Sequence, residues 1–302
     1  MSWIRPGLNL YLRLTEKPHL ARARDPGKLR RSFELKSRIF FRSPWGTSTV
    51  AQTVAGVSCL HVTTPGSDTT GPLILYLHGG GYIFGSPSTH KAMLAQLCKR
   101  TGLAALLPDY RKAPEHPFPG AVEDAVAVYR AVADHPGGVV IGGDSAGGGL
   151  TLALNLEILR LGLPKPLGSF CLSPLTDLSF TSASVRDNDA CDVVLPASMA
   201  PTMAEMYLRE ADPCQPLASP LNGDFTGAPP AWISVGTTEI LLDDSTRMAE
   251  RLRAQGVPTE LVVEQDLPHV WPLFHTLLPE ARATLDQLAG WIRSLPPRSA
   301  DS

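Results

Sequence analysis

The chain has 302 residues, 43% of them hydrophobic and 19% charged. That balance excludes a disordered or collagen-like polypeptide and supplies apolar material for a sizeable core. Its formal charge of −2 excludes an overall electrostatic pull toward nucleic acid. Cys59, Cys98, Cys171, Cys191 and Cys214 are odd in number and widely spaced, which argues against a disulfide framework or a zinc site and for a reducing compartment. The first residues lack the apolar core of a signal peptide, and no apolar run reaches the length of a bilayer span. The expected location is the cytoplasm, without membrane insertion.

Charge is unevenly spread. Residues 1–45 hold eleven Lys/Arg against Glu16, Asp25 and Glu34, a net +8, which leaves −10 for the remainder. Helices that lie on a membrane surface share this composition, but the simpler reading is a solvated face of short helices resting on an acidic body. Leu8, Tyr11 and Leu12, then Leu29 and Phe33, recur at helical spacing, while Pro6, Pro18 and Asp25-Pro26-Gly27 predict breaks. From Thr49 the pattern turns to strand: 49–55 and 57–64, divided by Gly56, predict an antiparallel pair at a sheet edge. Residues 65–72 read as a polar turn, and Leu73-Ile74-Leu75-Tyr76-Leu77 suits a strand buried on both faces.

Alternation follows: helix 90–101, strand 103–107, helix 119–134, strand 139–141, helix 150–161, strand 168–172. Residues 176–220, rich in Ser, Asp and Pro around a helix at 197–209, interrupt it. Strand 231–235, helix 245–255, strand 259–264 and helix 280–294 restore it. Such alternation implies right-handed crossovers and a mostly parallel sheet covered by helices on both faces, an α/β fold in one domain.

Gly143-Asp144-Ser145-Ala146-Gly147 stands at the end of the apolar run Val139-Val140-Ile141 and ahead of a helix. It fits G-x-S-x-G, the nucleophile elbow, whose strained serine requires small flanking residues. A serine hydroxyl is a weak nucleophile that needs a base, usually a histidine oriented by a carboxylate. Downstream of Ser145 only His269 and His275 remain. His269 follows strand 259–264, where a loop can present a ring above the sheet, and is the expected base. His275 falls at the opening of the next helix. For the acid, the loop after strand 231–235 offers Glu239, Asp243 and Asp244. Glu239 is nearest the strand end; Asp243 and Asp244 suit a helix N-cap and first turn. The glycines of His78-Gly79-Gly80-Gly81-Tyr82, after strand 73–77, allow backbone N–H groups to converge on one point, as an oxyanion requires. The Ala146 N–H is the expected partner donor. A phosphate-binding turn is the rival, but this glycine spacing departs from G-x-G-x-x-G.

Three motifs in this order carry a resemblance: His78-Gly79-Gly80-Gly81, the segment Asp109 to Pro119 (DYRKAPEHPFP), and Gly143-Asp144-Ser145-Ala146-Gly147-Gly148. From about residue 45 onward the chain resembles the hormone-sensitive-lipase-like branch of the α/β-hydrolase fold. The resemblance implies Ser145, Glu239 and His269 as catalytic triad, with Gly80, Gly81 and Ala146 as oxyanion donors. It also implies a helical cap from residues 1–45 and 176–220 over a body of 46–175 and 221–302, and a role for 109–119 in supporting the site. Many members carry D-P-L-x-D where this chain has Glu239-Ile240-Leu241-Leu242-Asp243, so position matching places Glu239 on the acid and leaves Asp243 as the alternative. The implied substrates are small carboxylic esters of short-to-medium acyl chain, with no metal or cofactor. A homodimer paired through the sheet edge is the implied assembly.

Overall fold

The computed structural model describes residues 2–296, and its centre is one eight-stranded sheet in the order β1-β2-β4-β3-β5-β6-β7-β8. β1 (Ser48–Val54) and β2 (Val57–Thr63) form an antiparallel edge hairpin. β2 runs antiparallel to β4 (Leu103–Pro108). From β4 onward every pairing is parallel, through β3 (Asp68–Leu77), β5 (Val139–Asp144), β6 (Gly168–Leu172), β7 (Ala231–Gly236) and β8 (Thr259–Glu264).

Side chains alternate across a strand, so a run that is apolar throughout must be covered twice. In β3 and β5, Leu73, Leu75, Leu77, Val139 and Ile141 pack on one face beneath α4 (Gly120–Val132) and α5 (Ala146–Leu161). Ile74, Tyr76 and Val140 pack on the other, beneath α3 (Pro87–Thr101) and α9 (Pro279–Ser294). Each such aliphatic side chain, fully buried, contributes about 1.5–3 kcal/mol, so the centre of the sheet is the rigid platform on which the site is mounted.

Several element boundaries differ from the sequence expectation. Residues 4–22 form one helix, α1 (Ile4–Arg22), with Pro18 inside it. The buried stripe Leu8, Leu12 and Leu20 extends past the proline, and packing of both halves on the body outweighs one lost hydrogen bond. The break comes only before α2 (Pro26–Phe40), which Asp25 caps by accepting from the Lys28 N–H. β3 begins at Asp68 rather than Leu73, with a register shift between them where the polar turn was expected. α5 begins at Ala146, so Gly147, Gly148 and Gly149 lie in its first turn. α8 (Leu242–Ala254) has Leu241 at its N-cap and Asp243 and Asp244 in its first turn. Between β6 and β7 lie two short helices, α6 (Ala183–Asp187) and α7 (Ala200–Leu208).

Glycine is sterically required at the end of β5. A methyl on Gly143 would lie 2.2 Å from the Gly147 carbonyl oxygen and 2.6 Å from that of Leu77, both main-chain atoms that cannot rotate aside. Gly143→Ala is expected to lower unfolding stability by on the order of 3 kcal/mol. Gly290→Ala, in the open interior of α9, should raise it by about 0.5–1 kcal/mol. Denaturant melts of the two variants check the contrast.

Candidate active site

Ser145 is the hinge between β5 and α5, with φ 53° and ψ −124°. A non-glycine residue pays for this conformation and keeps it only when its surroundings over-determine it. Its N–H donates to Leu172 O at 2.9 Å, and its carbonyl accepts from Leu175 N at 2.9 Å and Gly149 N at 3.1 Å. A methyl on Gly147 would lie 2.1 Å from Leu77 O, so both glycines of the pentapeptide are spaces for neighbouring backbone. The side chain of Ser145 is delivered to the wall of a cavity that His269 also lines.

His269 follows β8, and its Nδ1 lies 2.6 Å from Glu239 Oε2, with both side chains buried. A carboxylate only accepts, so Nδ1 carries the proton and Nε2 is the free base. Glu239 Oε1 accepts from Gly236 N at 2.6 Å and Ser173 Oγ at 2.8 Å. Both carboxylate oxygens are therefore satisfied in a site where an unpaired charge would be costly. Burial disfavours the imidazolium, but the Glu239 charge and hydrogen bond, assisted by Asp192 and Asp144, outweigh it and raise the His269 pKa.

The rival residues go elsewhere. Asp243 Oδ2 accepts from Ser184 N at 2.8 Å. Asp244 accepts from the N–H groups of Thr176, at 2.6 Å, and Asp177, at 2.9 Å. His275 is buried against backbone, with Nε2 3.1 Å from Arg42 O, and burial lowers its pKa.

The glycine run leaves β3 as a loop in which Gly80 has φ 120° and Gly81 φ 59°. Both line the cavity beside Ser145. Methyls there would meet Phe84 O at 2.2 Å and Met203 Sδ at 2.6 Å respectively. Ala146 is the first residue of α5, so its N–H has no acceptor within the helix. Tyr110 donates its hydroxyl to His78 O at 2.6 Å, and Ala113 N donates to Tyr82 O at 2.9 Å. Residues 109–119 thus brace this loop from behind; Glu115 pairs outward with Arg30.

Some residues of the arrangement had not been singled out from the sequence. Asp144, buried in the variable position of the elbow motif, accepts from Gly79 N at 2.9 Å, Tyr76 Oη at 2.7 Å and His90 Nε2 at 3.2 Å. Burial opposes its charge, but His90, Tyr76 and the Gly79 N–H prevail and lower its pKa. Asp144 therefore ties the elbow to the glycine loop. A second set holds the Glu239 loop. Asn188 donates to Thr237 O and Glu239 O, Ser184 Oγ donates to Ile240 O, and Asp192 Oδ2 accepts from Ile240 N. Asp144 was legible from its place in the motif; Ser173, Asn188 and Asp192 had no signal beyond being polar.

The cavity measures about 530 Å³ and is mostly apolar, with Leu175, Met203, Ile240, Val270 and Phe40 among its walls. α1, α2 and residues 194–203 all contribute to it. A serine on a strained elbow, a carboxylate-paired histidine and a glycine loop around one apolar chamber define a hydrolase of the α/β type.

Comparison with known proteins agrees. A family model of the α/β hydrolase fold matches residues 74–273. An acetyl-hydrolase of Streptomyces hygroscopicus is 40% identical over 227 residues, 74% of this chain and 76% of that protein. An esterase of Acinetobacter venetianus is 35% identical over 74% of this chain and 75% of its own length. The crystal structure of an esterase from the bacterial hormone-sensitive lipase family superposes with a TM-score of 0.91 at 35% identity, over 98% of this chain and 99% of that one. The chain belongs to the α/β-hydrolase fold family, within its hormone-sensitive-lipase-like branch of esterases.

A base must be neutral to accept a proton, so the acid limb of a pH–rate profile should fall at the raised His269 pKa, above the ordinary histidine value near 6.5. Glu239→Gln removes the charge that raises it and should move that limb to lower pH while cutting turnover by on the order of 10³–10⁴-fold. Asp243→Asn should leave both the limb and the turnover close to the parent. Profiles of kcat/KM for the three proteins decide the acid.

Proposed function

We propose that this chain hydrolyses small carboxylic esters of short-to-medium acyl chain through an acyl-enzyme on Ser145. The observation that carries the reading is the buried 2.6 Å pair of His269 Nδ1 and Glu239 Oε2, whose imidazole shares one chamber with Ser145. Ser145 Oγ attacks the acyl carbon and its proton passes to His269 Nε2. Negative charge developing on the acyl oxygen is held by the N–H groups of Gly80, Gly81 and Ala146, each such donor lowering the barrier by about 3 kcal/mol. The imidazolium returns the proton to the departing alcohol, and water activated by the same histidine releases the acid. Glu239 keeps Nε2 as the free base and stabilises the imidazolium. Nucleophile, base and electrostatic stabilisation are all supplied by these residues themselves.

The apolar walls favour an acyl or alcohol group without charge. Residues 1–45 and 176–220 act as a cap that limits how long a chain the chamber accepts. An acetyl-hydrolase among the relatives is consistent with the short end of that range. A cytoplasmic enzyme, homodimeric through its sheet edge, completes the reading. With p-nitrophenyl esters from acetyl to palmitoyl, acetyl to octanoyl should turn over faster than palmitoyl. Ser145→Ala should lose on the order of 10³-fold or more throughout; equal rates in parent and variant would sink the assignment.

A further inference from the structure

We propose that the outer face of α1 and α2 docks onto an anionic lipid surface. In a helix lying on a protein body the stripe away from the body ordinarily carries the charge. α1 reverses this. Its inward stripe of Leu8, Leu12 and Leu20 is buried, whereas Trp3, Leu10 and Leu14, at i, i+7 and i+11, are 88%, 58% and 66% exposed. On α2, Leu35 and Ile39 are 61% and 57% exposed. The two helices adjoin through the Lys36–Glu16 ion pair and the Tyr11–Phe40 ring contact.

The charges sort by direction. Arg5, Lys17 and Arg30 pair with Asp266, Asp189 and Glu115 and hold the helices to the body. Arg22, Lys28, Arg31 and Arg38 are exposed and form no ion pair among the described residues. Of the three acids in this segment, Glu16 is committed to Lys36, Glu34 to the Ser86 hydroxyl and Asp25 to the Lys28 N–H. The face therefore offers exposed leucine, isoleucine and tryptophan among cations that form no ion pair among the described residues, while the rest of the chain is net negative.

That combination selects among occupants. A second copy using the same face would bring one cationic face against another. Nucleic acid would meet the cations but leave the apolar stripe in water. An anionic bilayer interface takes both, burying the apolar side chains at the headgroup boundary and drawing in the cations. No helix among the described residues is long and apolar enough to cross a membrane, so the contact is peripheral. Trp3, Leu10 and Leu14 add an apolar stripe to the solvated face expected from composition.

The chamber opens on the same side. Trp3 and Tyr11, 88% and 42% exposed, line the cavity that reaches Ser145. An amphiphilic ester dissolved in the surface would enter between the helices, a consequence that rests on the hydrolase reading above.

Vesicle sedimentation with Ser145→Ala protein tests the docking independently of catalysis. Phosphatidylcholine vesicles containing phosphatidylglycerol should bind more tightly than phosphatidylcholine alone by on the order of tenfold or more, and added salt should weaken the difference. Arg31→Glu/Arg38→Glu and Leu10→Ser/Leu14→Ser, introduced separately, should each reduce binding by on the order of tenfold. The same pairs in the active parent should leave hydrolysis of a soluble acetyl ester unchanged. Equal or absent binding to the two vesicle types, or full binding by the charge-reversed protein, would overturn the proposal. So would a Leu10→Ser/Leu14→Ser variant that changes the molar mass by light scattering while retaining vesicle binding, which would make the face an interface between copies.

Discussion

The arrangement depends on one buried hydrogen bond, His269 Nδ1 to Glu239 Oε2 at 2.6 Å. A carboxylate in an apolar interior is tolerable only when its lone pairs are met. The imidazole meets one oxygen of Glu239, and Gly236 N and Ser173 Oγ meet the other. The parallel sheet makes this possible, because β7 and β8 are neighbours whose carboxyl ends release the two loops on the same side. Asn188, Ser184 and Asp192 then bind the polar backbone groups of the Glu239 loop. On the far side α1 reaches the loop of His269, where Arg5 donates to Gln265 O and Asn9 to Asp266 O.

The same economy appears at the elbow. The pentapeptide supplies the strained serine, and Asp144 within it accepts the Gly79 N–H, so one segment positions both Ser145 and the glycine loop. Tyr76 and His90, from a strand and a helix on either side of that loop, share the carboxylate. The glycine loop is thus tied to the central sheet rather than left free.

The elbow, the parallel sheet and His269 were legible because each rests on a local pattern: an apolar run buried on both faces, small residues where backbone crosses, one histidine after a strand. Glu239 was harder, since the family spacing usually carries aspartate there. The longer side chain fits because it folds back over Gly236, where a methyl would lie 3.1 Å from Glu239 Oε1 and 2.4 Å from Leu267 O. The breaks expected at Pro6 and Pro18 did not materialise, since tertiary packing of Leu8, Leu12 and Leu20 overrides the local penalty. Asn188 and Asp192 were illegible for a different reason: they meet backbone groups of the Glu239 loop far away in the chain, and backbone hydrogen bonding leaves no residue pattern. Ser173 meets the Glu239 carboxylate across a separation of 66 residues, which no local pattern marks.

In the proposed mechanism Ser145 is the residue on which the acyl group is carried. An active-site-directed fluorophosphonate, followed by peptide mass mapping, tests it directly. One phosphonyl group per chain is expected on the peptide containing Ser145, added more slowly when Glu239 is replaced by Gln. Labelling of another residue, or undiminished labelling of the Ser145→Ala protein, would contradict it.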